Sequence, residues 1–485
     1  MTSTLIVPRF QAWKQRLARP FRRPRPNLYT LAQHPDRMPR FVRDSPVAQR
    51  YLRLLAPIDW AHFPERDLET DWGAPTIPFA AFAAACLVKL DHNLLYMSSL
   101  RRYLADHPSL LWMLGFPLVF SARSAYGFDV DASLPTARHL TRLLRKAPNA
   151  CFQYLLDETV RLLMLELRDL APDFGSCISL DTKHILAWVK ENNPKAYLKG
   201  GRFHKDQQPT GDPDCRLGCK RKHNQRSHNE SPQTPLNDAV PASSVKVGEY
   251  YWGYASGVVA TKVPGWCEVV LAELTQPFDR GDTTYFHPLM AQVKRRLGFY
   301  PPFGAFDAAF DAFYVYEAFH RAGGFAAVPF VLKGKTKLRT FDPDGLPLCK
   351  AGLPMPLKFT YTSRTTSIIV HEKGSYVCPL AYPEPSDQTC PIDDPHWPKG
   401  GCKTTLATSI GARIRHQLDR DCQAYKLVYK QRTATERINS LAKELGIERP
   451  KLRNGAAIAN QNTLIYVLLN LRALQRVRQR KAAQS

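Results

Sequence analysis

The residues best suited to chemistry stand near the C-terminus. Tyr429, Arg432, Glu436 and Lys443 are spaced by three, four and seven positions. On one α-helix, at about 100° per residue, they fall at roughly 0°, 300°, 340° and 320°, a single narrow stripe. Ala434, Ile438, Leu441, Ala442 and Leu445 fall on the other side, where a core would lie, and Gly446 supplies a stop. A solvated charged face explains most such helices. This stripe, however, sets one carboxylate among two cations and an aromatic ring. That suits a metal-bound phosphodiester: the acid holds the ion, and the cations hold phosphate oxygens.

Two further acids stand where strands are expected to end. Asp181 follows the apolar run Ile178–Leu180, and Asp307 lies within Gly304-Ala305-Phe306-Asp307-Ala308-Ala309. A carboxylate in an apolar strand is costly unless it is paired or metal-bound, so a satisfied salt bridge is the plain alternative. Asp311 competes with Asp307 but precedes a helical stretch and reads as its N-cap.

The elements that must position these residues follow from periodicity. Residues 1–45 are rich in Arg and Pro and read as a basic, disordered arm. Residues 46–172 carry apolar groups at three- and four-residue spacings, which predicts a helical domain for DNA binding or dimerisation. From 173 the pattern changes. Cys177–Asp181 reads as a strand. Tyr250–Val263 and Cys267–Leu274 read as a hairpin about Pro264-Gly265. Helix, strand, helix and strand then follow to Leu332. This β, β, β, α, β, α, β order signals a mixed α/β domain over 173–334, interrupted by a polar, mobile loop at 195–245. Residues 335–425 read as a β-rich insertion, with strands at Lys358–Thr362 and Ser367–His371. Residues 426–485 return to helix, one from about Gln423 to Leu445 and one from about Ala457 to Lys481.

Taken together, these motifs resemble a bacterial insertion-sequence transposase of the DDE class. The Tyr–two–Arg–three–Glu–six–Lys spacing, a signature of one branch of that class, runs unbroken from Tyr429 to Lys443. Ser179-Leu180-Asp181-Thr182 is similar to the first-aspartate motif. Phe306-Asp307-Ala308-Ala309-Phe310-Asp311 is similar to the second, with Ala309 and Phe310 where Gly and Tyr are usual. Thr76–Gly115, with Ser98-Ser99-Leu100-Arg101, resembles the N-terminal region. The resemblance spans about residue 75 to the C-terminus. It implies a ribonuclease-H-like mixed-sheet catalytic core with a β-rich insertion between the second Asp and the Glu. It also implies two Mg²⁺ or Mn²⁺ ions on Asp181, Asp307 and Glu436. Tyr429, Arg432 and Lys443 would grip phosphates, and a homodimer would form on paired DNA ends. The expected reaction is cleavage at the terminal inverted repeats and strand transfer into target DNA.

Composition agrees with a polyanionic partner. The chain has 67 Lys and Arg against 43 Asp and Glu, a net charge of +24. No apolar run is long enough to cross a bilayer, so a cytoplasmic, nucleoid-associated bacterial protein is expected. Eleven cysteines then read as reduced thiols. Cys378, Cys390 and Cys402 recur at equal spacing, with Cys422, His371 and His396 nearby. A structural zinc is conceivable there, but the close ligand pairs typical of zinc sites are missing. Cys215, Cys219, His223 and His228 form a weaker cluster. Trp252 and Trp266 read as core or hairpin residues, with base stacking as the lesser reading. The rival functions are a domesticated, catalytically silent DNA-binding protein and a nuclease that cuts without joining.

Overall fold

The computed structural model describes residues 27–66, 77–198, 202–221, 248–331, 338–364, 368–392 and 394–484. Among the described residues, nine α-helices come first: α1 (Leu28–Gln33), α2 (Arg40–Arg43), α3 (Pro46–Leu55), α4 (Phe79–Asp91), α5 (Met97–Asp106), α6 (Pro108–Leu114), α7 (Val130–Ser133), α8 (Ala137–Lys146) and α9 (Asn149–Leu167). The expected disordered arm therefore needs correction from residue 27 onward. Leu28, Leu31 and Val42 are buried in the helical core, and Asn27 caps α1 through its side chain. Residues 1–26 of that arm, and Thr76 at the start of the N-terminal motif, lie outside the described residues.

The sheet that follows is built around one long strand. β3 (Gly248–Val263) pairs antiparallel with β1 (Cys177–Leu186) along one edge. On its other edge it meets β2 (Arg216–Arg221) and then β4 (Cys267–Pro277). β5 (Phe303–Ala305) and β6 (Phe325–Ala327) extend the sheet parallel to β1. Strand β2 corrects the expected mobile loop: part of residues 195–245 belongs to the sheet, where buried Asp212 accepts a 2.7 Å hydrogen bond from Tyr254. Residues 222–247 of that loop lie outside the described residues. The strand at Cys177 also runs five residues past Asp181, because β3 is long enough to pair with all of it.

Helices cover both faces. α10 (Phe286–Leu297) and α11 (Phe313–Arg321) pack against Ile178, Leu180 and Val259 on one side. On the other, α14 (Thr433–Glu444) and α15 (Gly455–Gln484) pack against Ile185, Val258 and Ala260. Between these helix pairs the chain forms a separate antiparallel sheet of β7 (Leu357–Ser363), β8 (His371–Val377) and β9 (Lys403–Ala407), then α12 (Ile410–Gln417) and α13 (Gln423–Tyr429). Of the strand expected at Ser367–His371, Ser367 lies outside the described residues and the strand begins at His371, with Glu372 exposed and Gly374 and Val377 buried.

α15 joins the N-terminal helices to the sheet. It carries no charged residue from Gly455 to Leu471 and is buried nearly all round over that stretch, the pattern of a helix enclosed on every side. Several of its buried polar groups are hydrogen-bonded in ways that set its register. Asn460 donates to the carbonyls of Leu144 and Ala147, and Asn470 binds both the N–H and the C=O of Val270 in β4. Thr463 donates to the carboxylate of Glu273 at 2.7 Å, which also accepts from Gln153 and Thr275. Arg472 and Arg50 both bind Asp91, tying α15 to α4 and α3.

Glu273 is wholly enclosed, and burial pushes its carboxyl from 4.5 up to about 7 against the pull of those donors. The folded state therefore holds this proton to higher pH than the unfolded chain does. Stability should fall as pH rises from about 4.5 through about 7 and level off above it, by of order 3 kcal/mol from this group. Glu273→Gln should flatten that part of the profile, as measured by denaturant unfolding at pH 5 and pH 8. An equally steep fall in the variant would remove Glu273 as its source.

Candidate active site

Parallel pairing brings two of the three expected acids together. Ser179 of β1 lies opposite Ala305 of β5. Two residues further on, at the next position on the same face, come Asp181 and Asp307. Their charges raise each other's cost of ionisation. Burial pushes Asp181 from 3.8 up to about 6, with Asp307 and Asp282 adding to the rise. Asp307 is likewise raised, first by burial and then by Asp282.

Each aspartate is oriented by defined donors. Asp181 Oδ1 accepts from the Thr182 N–H at 2.9 Å, and Oδ2 from Asn439 Nδ2 at 3.0 Å. Asp307 accepts from the Ala309 N–H at 2.9 Å and caps a single 3₁₀ turn, Ala308–Phe310. Asp282 reaches the group through Thr182, whose hydroxyl donates to it at 2.8 Å. Neither Asp282 nor Asn439 is apparent from the sequence. The first lies in a turn after β4. The second lies on the inner face of α14, where the sequence shows only a polar residue among apolar ones.

Glu436 arrives on α14, which docks across β1 at this point. The N–H of Thr435 donates to Ser179 Oγ at 3.3 Å, and Asn439 holds Asp181. Ala434, Ile438 and Ala442 are buried beneath the helix and Leu441 is part-buried, so the expected core face packs inward. One expectation is corrected. Tyr429 and Arg432 do not share a continuous α-helix with Glu436, because Lys430–Arg432 forms a 3₁₀ turn between α13 and α14. The tighter winding still leaves Arg432 over the Tyr429 ring, 5.8 Å from its centroid, and Tyr429 stacks on Tyr425. Lys443 lies 3.7 Å from Glu448, which also pairs with Lys183 at 2.6 Å.

Arg432 supplies the positive charge at the centre. It pairs with Glu436 four residues on, and its charge opposes the rise at both Asp181 and Asp307. Among the described residues no three His, Cys, Asp or Glu side chains stand grouped at metal-binding spacing, and Glu436 is paired with Arg432. The donor set nonetheless fits a hard divalent cation. It offers carboxylate oxygens, like-charged acids that gain by neutralisation, and the buried Asn439 Oδ1, which has no hydrogen-bond partner.

Asp311 is not the N-cap it was expected to be. Arg415 binds it through two hydrogen bonds of 2.7 and 2.6 Å, and Tyr316 and the Val331 N–H donate to it as well. That commits it to structure and leaves Asp307 as the acid beside Asp181. Trp252 is a core residue, donating to the Arg202 carbonyl at 2.9 Å, and Trp266 packs against the core. Cys378, Cys390 and Cys402 line one cavity in the small sheet. Cys215 is buried beside Asp212, while His223 and His228 lie outside the described residues.

No protein-family model, curated protein or solved structure matches the chain. Among the described residues no helix is long and apolar enough to cross a membrane.

The two neighbouring aspartates should respond oppositely to neutralisation. Asp311→Asn breaks a buried ion pair and should lower stability by about 3–5 kcal/mol. Asp307→Asn removes a charge held beside two others and should leave stability unchanged or slightly raised, as for groups retained for function. Thermal melts of both variants in metal-free buffer test this. Equal losses would make Asp307 a structural acid.

Proposed function

We propose that the chain is a DNA transposase of the DDE class, with Asp181, Asp307 and Glu436 as its catalytic acids. The observation that carries this reading is the meeting of Asp181 and Asp307 at adjacent parallel strands, beneath a helix that carries Glu436. We read the mixed sheet as the ribonuclease-H-like core that the resemblance implies. The small sheet of β7, β8 and β9, which falls between Asp307 and Glu436 in sequence, is then its insertion.

Magnesium or manganese, when bound by the three acids, would activate water or a 3′-hydroxyl and stabilise the leaving oxygen. The chain's own residues have separate tasks. Asn439 and the Thr182 N–H fix the direction of both Asp181 oxygens, so that the carboxylate meets its ligand without reorganising. Arg432 neutralises the acids in the resting site. Were Glu436 to turn toward the aspartates, the Arg432 guanidinium would be released to a phosphate, for which its planar fork is suited. Tyr429 supports that guanidinium from below, and Lys443 offers a second phosphate contact two turns beyond Glu436 along the same face.

DNA binding away from the acids is assigned to α8. Leu140, Leu143 and Leu144 anchor it in the core, while Arg138, Arg142 and Arg145 are exposed in an open groove with Thr136 and His139. These three cations share one face at four- and three-residue spacing, and phosphate contacts of this kind position a duplex without reading it. A homodimer on paired ends remains part of the proposal.

Supercoiled plasmid carrying the element ends is the direct test. With Mg²⁺ or Mn²⁺ the protein should cut at the element boundary and join the freed ends to target DNA. Asp181→Ala, Asp307→Ala and Glu436→Ala should each lose on the order of 10³-fold or more in cutting while still binding the ends. Binding with no cutting in either metal would favour a silent DNA-binding protein, the reading suited to a Glu436 locked to Arg432. Replacing Arg138, Arg142 and Arg145 by Ala should reduce the slope of log affinity against log salt by roughly 3. An unchanged slope would move the duplex off this helix.

A further inference from the structure

Four cysteines converge on one small cavity in the inserted sheet: Cys349, Cys378, Cys390 and Cys402. The sequence spacing singles out the last three. Cys349 joins them only through the fold. Of the other residues suggested by proximity in sequence, Cys422 caps α13, and His371 packs on Phe313 with its Nδ1 toward the Ile369 carbonyl.

The backbone is shaped to bring the thiols in. β8 and β9 pair as far as Val377 opposite Lys403, which sets Cys378 across from Cys402. Gly400 and Gly401 precede Cys402 with φ of +87° and +79°, a conformation that side chains disfavour. A Cβ on Gly401 would lie 2.5 Å from Cys378 Cβ and 3.0 Å from its sulfur, so only glycine allows this approach. Cys349 opens a tight turn closed by the Gly352 N–H, with Gly352 at φ +77°. Burial and the neighbouring Cys378 and Cys349 push the Cys402 thiol up to about 12. Lys350, bound to Asp394 at 2.9 Å on the same cavity, brings its charge near Cys402 and Cys390.

We propose that Cys349, Cys378, Cys390 and Cys402 bind a single structural zinc ion as thiolates. Four sulfurs and no open position suit zinc in a structural site. Among its described residues the module has only a small apolar core. Six of the seven β7 residues are exposed. Between residues 338 and 407, the buried apolar side chains among those described are Pro347, Met355, Val377, Cys378 and Leu380. A three-stranded sheet on so small a core ordinarily needs a staple. Among the described residues no three such ligands yet stand at metal spacing. The four sulfurs line the cavity with Cys378 and Cys402 already beside each other, and zinc would be held by all four as thiolates, their protons displaced. Lys350 offsets part of the resulting negative charge. A Cys378–Cys402 disulfide would instead leave Cys349 and Cys390 facing the same cavity unused.

The inference is independent of the DNA-processing reading, and its test does not use activity. Full-length protein purified without chelator should contain one zinc per chain by elemental analysis. Cys349, Cys378, Cys390 and Cys402 should resist alkylation until a strong chelator is added, then react at least about tenfold faster. Cobalt in place of zinc should give the absorption of a tetrahedral thiolate site, lost in Cys349→Ser and kept in Cys177→Ser. Absence of zinc with all four thiols alkylated at once would overturn the proposal, as would a Cys378–Cys402 disulfide in peptide mapping. Retention of the full cobalt spectrum by Cys349→Ser would overturn the four-thiol set. Should that variant fail to fold, the alkylation pattern of the unaltered chain decides alone.

Discussion

The parallel contact between β1 and β5 is three residue pairs long, and the site depends on it. Parallel strands run in step, so acids two positions past a paired couple emerge side by side from one face. Repulsion between Asp181 and Asp307 is the direct consequence. The fold tolerates it because the backbone pairs of β1 with both β3 and β5 hold the strands regardless of what the carboxylates prefer. The resting charge of Arg432 and the N–H donors of Thr182, Ala309 and Phe310 relieve only part of that cost. Acids that stay buried and under-neutralised in this way mark a candidate functional site.

The rest of the molecule can be understood as support for that contact. α14 is held over β1 by two polar contacts, Ser179 to the Thr435 N–H and Asp181 to Asn439, and by an apolar underside. α15 runs beneath both the sheet and the N-terminal helices, its register set by buried Asn and Thr groups. Such contacts tolerate little sliding, because each displaced amide would be left buried and unpaired. The carboxylate of Glu273 sits in the same polar seam and couples that seam to pH.

Two kinds of acid coexist within five residues. Asp307 has backbone donors and like-charged neighbours, whereas Asp311 has a bidentate arginine, a tyrosine and an N–H. The difference in partners separates a group available for chemistry from one spent on packing α11 against α12. Similarly, the cysteines of the inserted sheet differ from Cys215 or Cys422. The former face a common cavity, while the latter satisfy local backbone groups.

Much of this was determined by sequence alone. Periodicity predicted the helical character of residues 46–172 and located α15 to within a few residues, and the Pro264-Gly265 turn located the β3–β4 hairpin, since these signals are local. The spacing of Tyr429, Arg432, Glu436 and Lys443 and the apolar settings of Asp181 and Asp307 marked the candidate acids for the same reason. Tertiary structure decided what depends on distant partners. It extended β1 through Leu186 because β3 continues beside it, drew residues 216–221 into the sheet, and broke the expected helix at Lys430. It exchanged the N-cap reading of Asp311 for an ion pair with a residue more than 100 positions away. Asn439, Asp282 and Cys349 entered their sites by the same route. Their roles lie in which strand or turn faces them, and no spacing along the chain encodes that.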